Sequence, residues 1–300
     1  MAIAALVDIT KCMGCRGCQV ACKAWNDNSG ETDTRNTGSY ENPPHLSAST
    51  WTRIEFYEFS QNGEVKWYFR KHQCMHCTNA SCEAVCPTGA ISHMGQVVVI
   101  NQDICIGCGY CAMACPFDAV HREPPRGTAR KCWFCLDRLS NGLEPACVKT
   151  CPPGAIQFGE RDNLLATANT RINSLRNNGH PNARLYGENE LGGLHWLYII
   201  DGPPSQFGLP ESPRLATSSL VGQWVGGLIT AGVLAAIPFW LLFRRKRQLE
   251  ESRAGGEHEW LAGDHPSGST YGWQEWLAGP SSPSSWLTAS WEAHKRPSSG

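Results

Sequence analysis

The hydrophobic positions of this 300-residue chain form short runs, apart from one long apolar stretch near the C-terminus. Residues 1–11 are largely apolar and predict a strand. Two runs, 51–59 and 64–70, are joined through an Asn-Gly pair at 62–63, which accepts the positive φ angles of a tight turn. Two further short apolar runs lie on either side of Gly95. These patterns predict one strand and two β-hairpins.

A helical pattern follows at residues 163–178, with Asn163 as the candidate cap and Gly179 as the candidate stop. Residues 192–200 read as a buried strand, in which His195 is expected to be hydrogen-bonded rather than a ligand. The apolar positions of the helical pattern are Leu164, Leu165, Ala168, Ile172 and Leu175.

The long apolar stretch, residues 220–243, contains 24 residues and no charge. As a helix it would span ~36 Å, enough to cross a hydrocarbon core of ~30 Å. A soluble core helix of this length would carry a polar face, so the stretch predicts a transmembrane helix. Trp224 and Trp240 lie near its ends, where aromatic belts occur. Gly222 and Gly226 leave a smooth face for a partner helix.

The charges beside this stretch predict its orientation. Four basic residues follow directly at 244–247, and Arg214 lies close on the other side. By the positive-inside rule, the C-terminus is expected in the cytoplasm and the preceding domain on the periplasmic face of the inner membrane. Residues 1–11 lack the basic start and cleavage site of a signal peptide. Export is therefore expected to depend on a folded partner that carries its own export signal.

Composition narrows the classes of function. A formal net charge of −1 argues against a nucleic-acid binder. Residues 26–50 are polar and predict a surface loop. Residues 247–300, rich in Ser, Gly and Pro, predict a disordered cytoplasmic tail. The tail repeats Glu-Trp-Leu-Ala-Gly at 259–263 and 275–279, which suits either anchors for a membrane or partner, or an unconstrained extension.

The candidate chemistry lies in the 16 cysteines, which fall into four motifs with none left over. Motif III has the spacing C-x2-C-x2-C-x3-C followed by Pro. This is a ligand pattern of [4Fe–4S] clusters, and its fourth cysteine reaches a neighbouring cluster, so one motif implies another. In chain order the motifs are Cys12, Cys15, Cys18 and Cys22 (motif I); Cys74, Cys77, Cys82 and Cys86 (motif II); Cys105, Cys108, Cys111 and Cys115 (motif III); and Cys132, Cys135, Cys147 and Cys151 (motif IV).

Two other uses of the cysteines fit less well. Disulfide frameworks suit small secreted domains, whereas this chain is long enough to form a core without them. Structural zinc takes separated pairs of ligands rather than runs of four with a trailing Cys-Pro, so a zinc-binding membrane scaffold is the alternative from another class. Basic residues beside the motifs serve either as counter-charge for clusters or as ordinary solvated surface: Lys11, Arg16, Lys23, Lys71, Arg130, Lys131 and Lys149.

Residues 74–115 have the content of a complete two-cluster ferredoxin, with a hairpin between its halves. If this module is self-sufficient, motifs I and IV pair around it. The expected fold class is α+β, with two nested bacterial-type 2[4Fe–4S] ferredoxin-like modules and one C-terminal transmembrane helix. The expected divisions are 1–25 and 116–160 (outer module), 26–73 (loop and β-hairpin insertion), 74–115 (inner module), 161–217 (helix–strand extension), 218–246 (membrane helix and basic stop) and 247–300 (tail).

With these motifs the chain resembles the β, iron–sulfur subunit of membrane-bound respiratory formate dehydrogenases, over about residues 5–245. The resemblance rests on the four cysteine motifs, on the runs 14–22 and 144–152, on Gly192-Gly193-Leu-His195 and on the single membrane helix. The tail beyond about Ser252 departs from it, so no role is carried over there.

The resemblance implies an electron-transfer subunit of anaerobic respiration. A catalytic α subunit with a molybdenum or tungsten bis-pterin would oxidise formate, this chain would relay the electrons through four [4Fe–4S] clusters, and a haem b-containing membrane γ subunit would pass them to quinone. No catalytic site of its own is expected, because the chain has no phosphate loop and no H-E-x-x-H motif. The alternative within this class is the same role in a hydrogenase, polysulfide, nitrate or sulfoxide reductase complex.

The compact 74–115 module and the resemblance together imply how the cysteines are shared between motifs. We name the four expected ligand sets for use below. They are Cys12, Cys15, Cys18 and Cys151 (set 1); Cys22, Cys132, Cys135 and Cys147 (set 2); Cys74, Cys77, Cys82 and Cys115 (set 3); and Cys86, Cys105, Cys108 and Cys111 (set 4).

Overall fold

A computed structural model of the protein describes residues 2–31, 38–61, 63–123 and 127–260. The described strands are β1 (Ile3–Asp8), β2 (Thr52–Gln61), β3 (Glu64–Gln73), β4 (Ile91–Met94), β5 (Val97–Ile100), β6 (His121–Arg122), β7 (Ala129–Arg130), β8 (Ile156–Glu160), β9 (Ala183–Tyr186) and β10 (Trp196–Asp201). The described α-helices are α1 (Gly17–Trp25), α2 (Ser81–Ala84), α3 (Tyr110–Ala114), α4 (Leu136–Ser140), α5 (Ala146–Lys149), α6 (Arg161–Asn177) and α7 (Leu220–Trp260).

The chain divides into two compact units, residues 1–227 and 228–300. The first unit carries all the cysteines and is organised on a four-stranded sheet in the order β8-β1-β10-β9. β1 runs parallel to β10, with Ala5 opposite Trp196, and antiparallel to β8. Both strands predicted for this sheet are confirmed, although the second begins only at Trp196. The sheet therefore joins the start of the chain to strands that lie between residues 156 and 201.

Helix α6 covers one face of this sheet. Its apolar positions pack on Ala4, Leu6, Leu197 and Ile199 of β1 and β10. The helical pattern is confirmed, but Asn163 is not the cap: the helix begins earlier, at Arg161, and the Asn163 amide donates to Glu160 Oε2 at 3.0 Å. The predicted stop is correct, since Gly179 follows the helix with φ +90°. The buried helix residues are Leu164, Ala168, Ile172 and Leu175.

Two hairpins confirm the predictions made from Gly and Asn-Gly. β2 and β3 pair as far as Gln61 opposite Glu64, and Gly63 has φ +81°. Asn62 itself lies outside the described residues. β4 and β5 pair from Ile91–Ile100 to Met94–Val97 around Gly95, which has φ +64°. Hence the 74–115 segment contains the hairpin expected between its halves.

A cluster of buried charged side chains lies in the β2–β3 hairpin, at the end away from its turn. Glu55 pairs with Arg53 and Arg70, and its Oε1 lies 2.9 Å from His72 Nδ1. Burial acts to raise the pKa of Glu55, but the contact with His72 and the charges of Arg70 and Arg53 outweigh it, so the pKa lies well below its usual range. The stabilisation is present above the pKa of an unfolded glutamate, about 4.3, and is lost as the pH falls through the folded value.

Helix α7 begins at the end of the first unit and forms the described part of the second. Within residues 222–254 the most apolar 18-residue window has a mean hydropathy of 2.0 and none of it is buried, so α7 is long and apolar enough to cross a membrane. The helix continues to Trp260, so the first part of the predicted disordered tail at 247–300 is helical instead. The rest of the tail, with its second Trp repeat, lies outside the described residues.

Candidate iron–sulfur cluster sites

Each cysteine motif folds as a tight loop followed by a short helix. In motif I, Cys12 and Cys15 lie on the loop, whereas Cys18 and Cys22 lie one turn apart on α1. The loop needs left-handed backbone at Gly14 (φ +67°) and Arg16 (φ +60°). A Cβ at Gly14 would stand 3.0 Å from the Phe69 ring, so the hairpin packs directly against this loop.

The other three motifs use the same device. Left-handed residues lie between the first and third cysteine of each motif, at His76, at Gly107 and Gly109, and at Phe134 and Cys135. Such turns direct side chains from neighbouring positions to the same side of the loop. The local sequence thus shapes every motif for several ligands at once.

Backbone and amide N–H groups point at several of the sulfur atoms. Ala129 N lies 3.4 Å from Cys105 Sγ, Phe134 N lies 3.4 Å from Cys132 Sγ, and Asn26 Nδ2 lies 3.7 Å from Cys22 Sγ. At Cys86, burial acts to raise the thiol pKa, but neighbouring backbone N–H groups, that of Ile91 first, lower it overall. Because iron binds the thiolate, donors aimed at sulfur fit a cluster site.

Motifs I and IV meet where helix α1 packs against helix α5. Burial raises the pKa of Cys12, and repulsion from Cys151 and Cys15 raises it further. Burial likewise raises the pKa of Cys18 to about 12, with repulsion from Cys147, Cys12 and Cys151. The charges of set 1 thus act on one another across motifs I and IV, and the charge of Cys147 acts on Cys18 as well.

The members of set 2 also come together from the two motifs. Cys22 has its pKa raised by burial to about 12, and Cys147 and Cys135 are the cysteines that repel its thiolate. Burial raises the pKa of Cys132 well above its usual range, with repulsion from Cys22, Cys74 and Cys135. Helix α1, which carries Cys22, also packs against helix α5, which carries Cys147.

Motifs II and III meet in the inner segment. Burial raises the pKa of Cys77, and Cys74, Cys115 and Cys82 contribute by repulsion. Burial raises the pKa of Cys82 to about 12, with repulsion from Cys74, Cys115 and Cys111. The charges of set 3 therefore act on one another across motifs II and III.

Set 4 is the least closely grouped. Cys105 and Cys108 repel the Cys111 thiolate, whose pKa burial raises. Cys86 is not among the cysteines acting on it, but it packs on the same small apolar cluster as Cys105 and Cys111. The structure thus joins three members of set 4 and brings the fourth to their shared cluster.

All the cysteines are free thiols, so the disulfide framework is excluded for this structure. Within the described ranges, no group of three His, Cys, Asp or Glu side chains converges on a single ion. A mononuclear zinc site needs such convergence, with sulfur about 2.3 Å from the metal. A [4Fe–4S] cube spreads its ligands over four iron atoms, so wider sulfur spacing fits it.

The structure bears on two expectations from the sequence, one about His195 and one about the basic residues beside the cysteine motifs. His195 is hydrogen-bonded as predicted, with Nδ1 2.8 Å from the carbonyl oxygen of Ile3. Among the basic residues, Lys71 and Lys131 are 1% and 4% exposed, whereas Lys11 and Lys149 are exposed. Sequence reasoning left this distinction open, because the burial of Lys71 at the end of β3 depends on packing against a distant strand.

Comparisons with known proteins agree with these sites. Two family models, each described as "4Fe-4S dicluster domain", match residues 65–161 and 11–90. Because each match joins motifs adjacent in sequence, the nested pairing stays a prediction.

Close relatives carry one function in their names. The Formate dehydrogenase-O iron-sulfur subunit of Escherichia coli K12 is 43% identical over 229 residues, covering 75% of each chain. The nitrate-inducible formate dehydrogenase iron-sulfur subunit of the same organism is 41% identical, over 75% of this chain and 78% of the relative. The formate dehydrogenase iron-sulfur subunit of Haemophilus influenzae is 42% identical, over 72% of this chain and 71% of the relative. Identity at this level over three quarters of the chain shows that the protein belongs to the family of formate dehydrogenase iron–sulfur subunits.

Proposed function

We propose that this chain relays electrons through four [4Fe–4S] clusters from a molybdenum- or tungsten-dependent formate dehydrogenase subunit to a haem b-containing membrane subunit that reduces quinone. The observation that carries the proposal is the grouping of all 16 cysteines into four motifs, in a chain that is 43% identical to a formate dehydrogenase iron-sulfur subunit. Among these cysteines, Cys15 and Cys108 are exposed. The clusters would supply one-electron carriers of tunable potential. The named relatives favour formate over the substrates of a hydrogenase, polysulfide, nitrate or sulfoxide reductase complex.

The electrostatic interactions between thiolates support the crossed sharing of ligands in sets 1 to 4. Three interactions between members of different sets support an order for the relay. Set 1 meets set 2 through Cys18 and Cys147, and set 2 meets set 3 through Cys132 and Cys74. Set 3 meets set 4 through Cys82 and Cys111. The order is linear, 1-2-3-4, and the two exposed cysteines belong to its two end sets.

The described segment before α7 supports a direction for the relay. Ala216 N donates to Ser81 Oγ at 3.1 Å, so the chain leaves for the helix from a point beside Cys82 of set 3. We therefore assign electron exit to the set 4 end and electron entry to the set 1 end. In the complete reaction, formate yields carbon dioxide, one proton and two electrons, and quinone takes up two electrons and two protons.

Purification from detergent-solubilised membranes tests the proposal. The chain should copurify anaerobically with a catalytic subunit and a cytochrome b, and should contain about sixteen iron and sixteen acid-labile sulfide. The complex should reduce quinone with formate. Stoichiometric zinc in place of iron, or a complex that reacts with hydrogen or nitrate but not formate, would contradict it.

We further propose that α7 spans the inner membrane, with lipid around it, the cluster domain in the periplasm and residues 244–247 in the cytoplasm. The basic residues after the apolar stretch support this orientation. Protease added to cells with a permeabilised outer membrane should digest the cluster domain and spare an epitope placed after Gly300. Loss of the epitope with an intact cluster domain would reverse the orientation.

A further inference from the structure

Lys71 is a buried positive charge without an acidic partner. It is 1% exposed, and within the described residues no carboxylate pairs with it. Its Nζ donates to Thr52 Oγ1 at 2.9 Å and lies 4.1 Å from the centre of the Trp196 ring. An ammonium group has three donors, and burying its charge is costly unless negative charge lies nearby.

The negative charge near Lys71 comes from cysteines. The Lys71 ammonium group lies over the Trp196 ring, and Trp196 packs in the same buried cluster as Cys18, Cys132 and Cys147. Lys71 interacts electrostatically with Cys22, Cys132, Cys135 and Cys147, which are all the members of set 2. It also interacts with Cys18 of set 1. Buried charges interact far more strongly than charges in water, because the surroundings screen them less.

Three elements hold this side chain in place. Lys71 lies opposite Ile54 in the β2–β3 hairpin, and Trp196 comes from the central sheet. The backbone carbonyl oxygen of Lys71 accepts a hydrogen bond from Tyr198 Oη at 2.7 Å. The ammonium group is therefore a fixed charge rather than a side chain that moves into solvent.

We propose that Lys71 sets the reduction potential of set 2 by stabilising the extra negative charge that arrives with an electron. This inference rests on the proposed ligand sharing. Four thiolates buried between neighbouring sets make set 2 hard to reduce, and a fixed cation offsets that difficulty, since net charge and burial tune such potentials. Lys71 thus acts on the reduction potential of set 2 through its charge and does not bind iron.

Lys131 is the residue whose charge acts in the same way on the inner module, although it lies in the outer one. It is 4% exposed, its Nζ donates to the carbonyl oxygens of Val98 and Cys132, and its charge acts on Cys82 and Cys115 of set 3. The two lysines therefore serve different sets, which gives the experiment an internal comparison.

The test is a redox titration, followed by electron paramagnetic resonance, of the purified complex carrying Lys71→Met or Lys71→Gln. Each should lower the equilibrium constant for reduction at least tenfold in one transition, which is about 59 mV for a one-electron couple. The potential of set 1 should fall by less, because the Lys71 charge acts on only one of its members, Cys18. The potentials of sets 3 and 4 should stay unchanged. Lys71→Arg keeps the charge and should restore the potential.

Lys66→Met is the matched control, because Lys66 lies near the outer end of β3, opposite Phe59. All its transitions should match the wild type.

Lys131→Met should move a different transition most. Unchanged potentials in both neutral Lys71 variants at full iron content would overturn the inference and leave the relay intact. Missing iron in the wild type would instead overturn the relay. If Lys71→Met does not assemble, Lys71→Gln, which can still bond Thr52, carries the test.

Discussion

Replacing Cys115 with serine is expected to remove the same electron paramagnetic resonance signal as replacing Cys77, although the two residues belong to different motifs. The reason is the proposed crossed sharing, in which Cys115 would complete set 3 rather than the set of its own motif; the Cys115 charge acts on Cys77 of set 3. Cys86→Ser should likewise match Cys108→Ser. Each variant should lose about four of sixteen iron atoms, and electron delivery to quinone should fall to background because the relay is linear.

The electron paramagnetic resonance signals are compared between purified complexes during reduction with dithionite. The iron content of each complex is measured separately. Met113→Leu is the control, because Met113 is 77% exposed and lies between Cys111 and Cys115. It should keep every signal. If Cys115→Ser matches Cys108→Ser instead, each motif binds its own cluster and the crossed assignment is wrong.

Deleting α7 is expected to uncouple formate oxidation from quinone. The helix contributes no cysteine. Its proposed role is to hold the last set against the membrane partner through its uncharged segment. The shortened chain should still bind the catalytic subunit, keep about sixteen iron and pass electrons to a soluble dye. Reduction of a lipophilic quinone should fall at least about a hundredfold, because electron transfer depends steeply on close, oriented contact between the partners.

A matched control replaces residues 220–243 with an uncharged leucine–alanine helix of equal length, followed by the native basic residues. Membrane attachment should return, and recovery of quinone reduction would show that attachment suffices. Partial recovery would assign a specific contact to the small-residue face at Gly222 and Gly226. Full quinone reduction by the chain without α7 would contradict the proposed role of the helix.

The elements predicted correctly are those with local causes. The Asn-Gly turn, Gly95, the α6 pattern and the apolar stretch each specify structure within a few neighbouring residues. The cysteine motifs could be found in the same way, because their loops depend on nearby left-handed residues.

The features that escaped prediction depend on residues far apart in sequence. Parallel pairing of β1 with β10 has no local signal, and neither has the Glu55 ion cluster. Lys71 has the charge of a surface residue, and its burial follows only from the Trp196 strand packed against it. The extension of α7 to Trp260 escaped because composition suggested disorder, whereas the helix continues through charged residues.

The central sheet also constrains the order in which the chain can fold as it leaves the ribosome. β1 is synthesised first, yet its two neighbours, β8 and β10, end only at Glu160 and Asp201. The inner segment, residues 74–115, is complete much earlier and contains its own hairpin. Since domains fold as their parts emerge during translation, motif I waits beside an unpaired strand while motifs II and III become enclosed. The cysteines that are made first are thus among the last to reach their final surroundings.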